Sequence, residues 1–165
     1  MITIISGSNR KDNVTKQVAF EYQRLLKEKL FDSSILFLDE VDTTVRNDSF
    51  SEMEATMLIP AEKFIIISPE YNGSYPGILK LMIDNSDVAR CWWDKKVLLT
   101  GVSTGRAGNL RGMEHLTGSL LHMKMLVHPN RLPISVVHTL MEDGRFVDTA
   151  ALTSINNQLE EFLNF

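Results

Sequence analysis

The chain of 165 residues is 44% hydrophobic and 23% charged, which is typical of one folded globular domain and excludes a wholly disordered protein. Its formal net charge of −4 argues against general binding to nucleic acid or membrane surfaces. The lone cysteine, Cys91, excludes an internal disulfide. Because there is no signal-peptide core and no apolar run of about 20 residues, we expect a cytoplasmic chain that forms one domain, residues 1–165.

The first half of the chain predicts strands and helices in alternation. Ile2–Ser6 is a short apolar run that predicts the first strand, and Thr15–Leu30 carries apolar residues at helical spacing. Ser34–Leu38 predicts a second strand, Glu52–Leu58 a short helix, and Phe64–Ser68 a third strand that a proline ends.

The second half of the chain continues this alternation. An apolar stripe predicts a helix that begins at Pro76, and Lys96–Val102 predicts the fourth strand. Leu110–Met123 is a predicted helix, and residues 125–138 hold a fifth strand interrupted by two prolines. Thr149–Leu163 closes the chain as an amphipathic helix.

Alternating strands and helices predict a doubly wound parallel sheet with helices on both faces. Ligands of such sheets bind beyond the carboxyl ends of the strands. A ligand site is therefore expected at the connections after strands one, three and four, which we call loop 1 (residues 7–15), loop 2 (residues 68–77) and loop 3 (residues 101–109).

Loop 1 leads into a helix, and a helix N-terminus is a natural seat for phosphate. Ser8, Asn13 and Thr15 add short donors, and Arg10 adds a charged fork that suits phosphate oxygens. The triphosphate-binding and dinucleotide-binding glycine motifs are both absent from the sequence. The alternative for loop 1 is a capped helix start with a solvated arginine.

Loop 2 is rich in proline and glycine, which fix its backbone path. Such a loop can aim backbone N–H groups at a flat ligand, with Tyr71 or Tyr75 covering apolar surface. The alternative is a rigid connection to the next helix.

Loop 3 contains G-x-S-x-G, the pattern around the nucleophile of serine hydrolases, with Ser103 at its centre. The order of the catalytic partners argues against a hydrolase, because no Asp lies between Ser103 and the last histidine, His138. The alternative is a loop in which Ser103 or Thr104 lines the rim of a cofactor.

The four histidines lack carboxylates at metal-ligand spacing, so we expect no metal site and interpret them as surface or interface residues. Trp92 and Trp93 follow a predicted helix, and we interpret them as capping the core, with an interface between subunits as the alternative.

Together the three loops resemble the NADPH-dependent FMN reductase family, which includes chromate, azo and quinone reductases. The most specific match is P-E-Y-N-G-S-Y-P-G at residues 69–77, continued by Leu79-Lys80 and Asp84. Gly7-Ser8-x-Arg10 resembles the family's phosphate loop, and Val102-Ser103-x-Gly105-x-x-Gly108 resembles its third loop. Asn109 departs from the family, which usually has a second glycine there, and this predicts a stiffer loop 3.

The resemblance implies a flavodoxin-like three-layer α/β sandwich with a five-stranded parallel sheet in the order 2-1-3-4-5, and FMN as the cofactor. It assigns the FMN phosphate to loop 1 and the ring to loops 2 and 3. The residues predicted to bind FMN are Ser8, Arg10, Asn13, Val14, Thr15, Pro69, Glu70, Tyr71, Asn72, Gly73, Ser103 and Gly105.

The activity that the resemblance implies is electron transfer from NADPH or NADH, through FMN, to a small acceptor by a ping-pong mechanism. The acceptor would be a flavin, a quinone, an azo compound or a metal oxyanion, and no catalytic side chain is expected. The resemblance also implies a homodimer or homotetramer. The alternatives are a flavodoxin-like electron carrier and a flavin-free nucleotide-binding or regulatory domain.

Overall fold

Strands and helices alternate along the chain, and the computed structural model describes residues 1–165. The strands of the main sheet are β1 (Ile2–Ser6), β2 (Ser33–Phe37), β3 (Lys63–Pro69), β4 (Lys96–Val102), β5 (Leu126–Val127) and β6 (Leu132–Ile134). The helices are α1 (Val14–Glu28), α2 (Asp48–Met53), α3 (Gly77–Asn85), α4 (Val88–Cys91), α5 (Leu110–His122) and α6 (Thr149–Asn164). A π-helical turn (Glu54–Leu58) continues α2, a 3-10 turn spans Val137–Thr139, and β7 (Met141–Glu142) pairs with β8 (Arg145–Phe146) in a small antiparallel hairpin.

All neighbours in the main sheet are parallel, and their order is β2-β1-β3-β4-β5. In register, Ile4 lies beside Ile35 on one side and Ile65 on the other. This order confirms the predicted flavodoxin-like topology. The strand order reverses between β1 and β3, and doubly wound sheets bind ligands at such a switch point.

Apolar residues cover both faces of the sheet because successive side chains of a strand point to opposite faces. Phe64 and Ile66 of β3 belong to a core that packs against α2, α3 and α5, whereas Ile65 and Ile67 belong to a core shared with α1 and α6. The result is a three-layer sandwich with one apolar core on each side of the sheet.

The predicted helix boundaries shift where side chains cap the helices. Asn13 accepts a hydrogen bond from the Lys16 N–H, so α1 begins at Val14, and Leu30 lies beyond its end with a left-handed φ of 64°. Asn47 caps α2 in the same way and moves its start to Asp48. Pro76 is the residue before α3 rather than its first helical residue.

The fifth position of the sheet is filled by two short strands rather than one. β5 pairs with the first residues of β4, and β6 pairs with Thr100–Val102 at the end of β4. Pro129 lies between the two strands, and Pro133 lies within β6, which is an edge strand and therefore tolerates a residue without an N–H. The sequence did not predict the hairpin of β7 and β8.

None of the helices combines the length and the apolar character that crossing a bilayer requires.

Candidate functional site

Loops 1, 2 and 3 converge at the carboxyl edge of the sheet, where they surround a cleft of about 350 Å³. Its lining contains every predicted FMN-binding residue except Asn72, Gly73 and Gly105. The cleft is lined by Ser8, Arg10, Lys11, Asp12, Asn13, Val14, Thr15, Pro69, Glu70, Tyr71, Val102, Ser103 and Thr104. The residues that the prediction did not include, among them Lys11 and Thr104, all lie in the same three loops.

Loop 1 brings the N-terminus of α1 to the cleft. The first turn of a helix leaves backbone N–H groups without intrahelical partners, and the helix dipole places positive charge there. The Asn13 side chain is occupied by the loop itself, since its Oδ1 accepts from the Lys16 N–H (2.9 Å) and its Nδ2 donates to the Arg10 carbonyl. Ser8 and Thr15 are buried at the floor of the loop. Loop 1 is thus both a capped helix start and a set of donors that faces the cleft.

The cleft is lined by two cations, Arg10 and Lys11, and by two carboxylates, Asp12 and Glu70, although the chain as a whole is negative. Neither Arg10 nor Lys11 forms an ion pair with a carboxylate. Lys16, on the next turn, points elsewhere: its hydrogen bonds to Asp39 and Glu40 raise the pKa of its ammonium group. Arg10 and Lys11 are therefore the cations that remain free for an anionic ligand at this edge.

Loop 2 turns sharply at Asn72 and Gly73. Both residues have positive φ (52° and 76°), and Tyr71 and Ser74 pair across them, which is the geometry of a type I′ turn. The turn places Asn72 at an exposed tip and Gly73 next to Arg111, outside the lining of the cleft. Contact of Asn72 and Gly73 with the ring stays a prediction.

Tyr71 joins loop 2 to loop 1. Its hydroxyl lies 2.7 Å from the Ser8 Oγ, and the guanidinium of Arg10 lies 4.3 Å from the centre of its ring. A guanidinium over an aromatic face is attracted by the ring's electrons. These two contacts hold the side chains that face the phosphate seat against loop 2.

Ser103 organises loop 3 internally. Its Oγ donates to the Gly105 carbonyl (2.8 Å) and accepts from the Gly108 N–H (2.9 Å). Both partners are backbone groups of the loop, and neither is a general base. This arrangement argues against the serine-nucleophile interpretation, and it leaves Ser103 at the cleft as a residue that shapes the loop. Gly105 lies at the exposed side of the loop.

The cleft is not the largest hollow of the molecule. A hollow of about 570 Å³ lies between the C-terminal half of α1, the start of β2 and the β7–β8 hairpin. Its lining includes the buried carboxylate of Glu21, which forms ion pairs with Arg24 and Arg145 at 3.0 and 3.1 Å. This hollow lies toward the amino end of β2, away from loops 1, 2 and 3, so the chemistry and not the volume identifies the cleft as the site.

The cleft has the chemical features that FMN requires. Arg10, the N-terminus of α1 and the hydroxyls of Ser8 and Thr15 suit a phosphate, whereas Pro69 and Val102 supply apolar surface for a flat ring. The fold and this cleft define a flavodoxin-like protein with a phosphate seat at its switch point.

Comparison with known proteins agrees with this class. The model of the NADPH-dependent FMN reductase family matches residues 1–139. A 2-hydroxy-1,4-benzoquinone reductase from a Burkholderia species is 26% identical over 136 residues, which cover 76% of this chain and 73% of that protein. The NAD(P)H-dependent FMN reductase PA1204 of Pseudomonas aeruginosa is 30% identical over 106 residues, which cover 61% of this chain and 56% of that protein.

A solved structure shares the whole fold. FerB, a flavoenzyme NAD(P)H:(acceptor) oxidoreductase from Paracoccus denitrificans, superposes with a TM-score of 0.78 at 20% identity, covering 99% of this chain and 94% of FerB. The match of the family model spans most of the sequence, so the chain belongs to the NADPH-dependent FMN reductase family. It is an oxidoreductase with FMN as its cofactor and NAD(P)H as its electron donor.

Proposed function

We propose that this chain transfers electrons from NAD(P)H to a small quinone, and that donor and acceptor occupy one cleft in turn. The observation that carries the proposal is the convergence of loops 1, 2 and 3 on a single cleft at the switch point of the sheet. Because the three loops border a single cleft, a donor and an acceptor that both reach the ring from it would bind in turn. Such an arrangement produces ping-pong kinetics.

The side chains of the chain bind and orient rather than react. Arg10, Ser8, Thr15 and the N-terminus of α1 would hold the FMN phosphate, and loops 2 and 3 would flank the ring. When bound, FMN supplies the redox chemistry, and the protein supplies position and electrostatics. Backbone N–H groups of loops 2 and 3 would stabilise negative charge at the ring edge. The mechanism therefore requires no side-chain nucleophile or general base.

The relative from Burkholderia, named for a hydroxyquinone, favours a quinone as the acceptor. Free flavin, azo compounds and metal oxyanions are the acceptors to compare with it. A set of small quinones measured beside these compounds, at equal concentrations, ranks them by kcat/KM. We expect the quinones to rank first.

Initial rates measured at several concentrations of donor and quinone test the proposed order of binding. Ping-pong kinetics give parallel lines in a double-reciprocal plot, and NADPH alone bleaches the flavin band near ~450 nm without an acceptor. Intersecting lines would overturn the shared cleft. A yellow protein that NADPH and NADH both fail to reduce would instead be an electron carrier, and a colourless protein without affinity for FMN would support the flavin-free alternative.

Arg10→Ala tests the phosphate seat. A hydrogen bond to a charged group contributes about 1.5–3 kcal/mol, so we expect FMN to bind at least about tenfold more weakly. Arg90→Ala is the matched control, because Arg90 is an exposed arginine on α4 outside the cleft. Titration of the apoprotein with FMN, followed by flavin fluorescence, measures both variants. An unchanged dissociation constant in Arg10→Ala would remove this residue from the site.

We also propose that the chain assembles as a homodimer or homotetramer in the cytoplasm. Trp92 is fully buried in the core, whereas Trp93 is 42% exposed and its ring lies 3.9 Å from the Lys124 ammonium. An exposed tryptophan beside a cation suits contact with a second copy of the chain. Light scattering at micromolar concentration tests this proposal: an oligomer that Trp93→Ser converts to a monomer supports it, and a monomeric unmodified protein contradicts it.

A further inference from the structure

Asn109 connects loop 3 to loop 2 through its side chain. The residue is fully buried and precedes α5, and its Nδ2 donates to the carbonyl oxygens of Ser68 (2.9 Å) and Pro69 (3.0 Å). A third contact, of 3.1 Å, reaches the Ser68 Oγ. The three acceptors lie some 40 residues earlier in the chain, at the end of β3. A single amide group thereby holds the point where β3 enters loop 2.

The connection is reciprocal. The backbone N–H of Asn109 donates to the Glu70 Oε2 (3.3 Å), so a side chain of loop 2 also holds the backbone of loop 3. The Glu70 N–H in turn donates to the Val102 carbonyl (2.9 Å), where β4 ends. Pro69, Glu70 and Val102 all line the cleft. These bonds fix the two loops that would flank the ring relative to each other.

The side chain of Asn109 does not make the hydrogen bond that is usual for an asparagine at the start of a helix. An asparagine before a helix normally turns its side-chain oxygen to an N–H of the first turn, which contributes about 1 kcal/mol. Asn109 has a left-handed φ of 61°, makes no such cap, and leaves its buried Oδ1 without a hydrogen-bond donor. An unpaired buried acceptor costs about 1–3 kcal/mol. The orientation that contacts loop 2 therefore costs local stability, because it lacks the helix cap and leaves the Oδ1 unpaired.

Two glycines, Gly101 and Gly112, lie close against the side chain of Asn109. A Cβ on Gly112 would lie 2.0 Å from the Asn109 Oδ1, and a Cβ on Gly101 would lie 3.1 Å from the Asn109 Cβ. Glycine at these two positions admits the asparagine. The sequence and the fold together hold its amide against Ser68 and Pro69.

We propose that Asn109 is a positioning residue that sets the ring-binding face of loop 2 and acts independently of the phosphate seat. The proposal rests on the proposed function, since the ring in question is that of FMN. It predicts that loss of the Asn109 side chain weakens ring binding, while the contribution of the phosphate to affinity stays unchanged.

Asn109→Gly tests this separation, because glycine keeps the left-handed backbone and removes only the side chain. Asp143→Gly is the matched control, since Asp143 also has a positive φ (47°) and lies in the exposed turn between β7 and β8. Riboflavin carries the ring without the phosphate, so the affinities of the apoprotein for riboflavin and FMN separate the two parts of the ligand. We expect Asn109→Gly to weaken both by the same factor of about ten, and Arg10→Ala to weaken FMN more strongly than riboflavin.

Amide hydrogen exchange of the protein without ligand gives a second readout. Asn109→Gly should accelerate exchange at Glu70 and Tyr71 and leave α6 unchanged. A second variant, Asn109→Asp, keeps the size but turns a carboxylate toward two carbonyl oxygens, and it should weaken riboflavin binding at least as much. Unchanged riboflavin affinity in Asn109→Gly, or unchanged exchange at Glu70 and Tyr71, would overturn the positioning role. An unmodified protein that binds neither ligand would instead contradict the proposed function. The exchange experiment would still test the contact of Asn109 with loop 2.

Discussion

Gly112→Ala and Gly118→Ala place the same methyl group on the same helix, and the structure predicts different effects on stability. A Cβ at Gly112 would lie 2.0 Å from the Asn109 Oδ1 and 2.7 Å from the carbonyl carbon of Ser74. Neither neighbour is the free end of a flexible chain, so α5 and loop 2 must move apart. Forcing a methyl group into such a packed contact costs about 1–3 kcal/mol.

Gly118 meets open space instead, because no atom lies within 4 Å of its Cβ position. Alanine in the interior of an exposed helix is about 1 kcal/mol more favourable than glycine. Gly118→Ala should therefore stabilise the protein, whereas the strain at Gly112 offsets the same gain and should leave Gly112→Ala about 1–3 kcal/mol less stable than Gly118→Ala. With about 2–4 °C in Tm for each kcal/mol in a chain of this size, the two variants should differ by roughly 5 °C.

Thermal unfolding followed by circular dichroism measures this difference. Urea unfolding checks that the dependence of the unfolding free energy on urea concentration is the same in both variants. The titration with riboflavin adds a functional readout, since displacement of α5 from loop 2 should also weaken ring binding in Gly112→Ala. A Gly112→Ala protein as stable as Gly118→Ala would refute the claim that α5, Asn109 and loop 2 are closely packed.

One substitution and one chemical modification test other contacts of the site and the core. Tyr71→Phe removes the hydroxyl that lies 2.7 Å from the Ser8 Oγ and keeps the ring under Arg10. The free energy of unfolding should therefore fall by about 1 kcal/mol. An unchanged midpoint of urea unfolding would contradict the hydrogen bond between loops 1 and 2. Burial, followed by the nearby charge of Glu54, raises the pKa of Cys91 to about 12, so iodoacetamide at pH 8 should modify the unfolded protein and not the native one. Because the ordinary pKa of the thiol is 9.0, the unfolded chain loses this proton first, and the contribution of Cys91 to stability should be complete below pH 9 and decline toward pH 12.

The sequence predicted the sheet well because its strands are apolar on both faces. The runs at Ile2–Ser6 and Lys96–Val102 have no competing helical pattern, and the structure confirms both boundaries. The strands of residues 125–138 were harder to predict, because two prolines divide the segment and the pairing of each half depends on β4. Local patterns specify a strand, but its partner is a tertiary property.

The candidate site likewise combines features that local patterns predict with features that depend on tertiary contacts. The Asn72-Gly73 pair predicts a tight turn, and the structure confirms the turn and places both residues outside the lining of the cleft. Asn13 was predicted as a phosphate ligand, and its side chain caps α1 and closes loop 1. Asn109 was recognised only as a departure from the family pattern. Its contacts with Ser68 and Pro69 span about 40 residues of sequence, and no local rule predicts them.

Amide hydrogen exchange with and without FMN tests whether loops 1, 2 and 3 together form the FMN site. Bound FMN should slow exchange in residues 8–15, 68–73 and 102–105 at the same time, and should leave the hollow beside Arg24 and Arg145 unchanged. Protection confined to that hollow, or to one loop alone, would contradict a shared cleft.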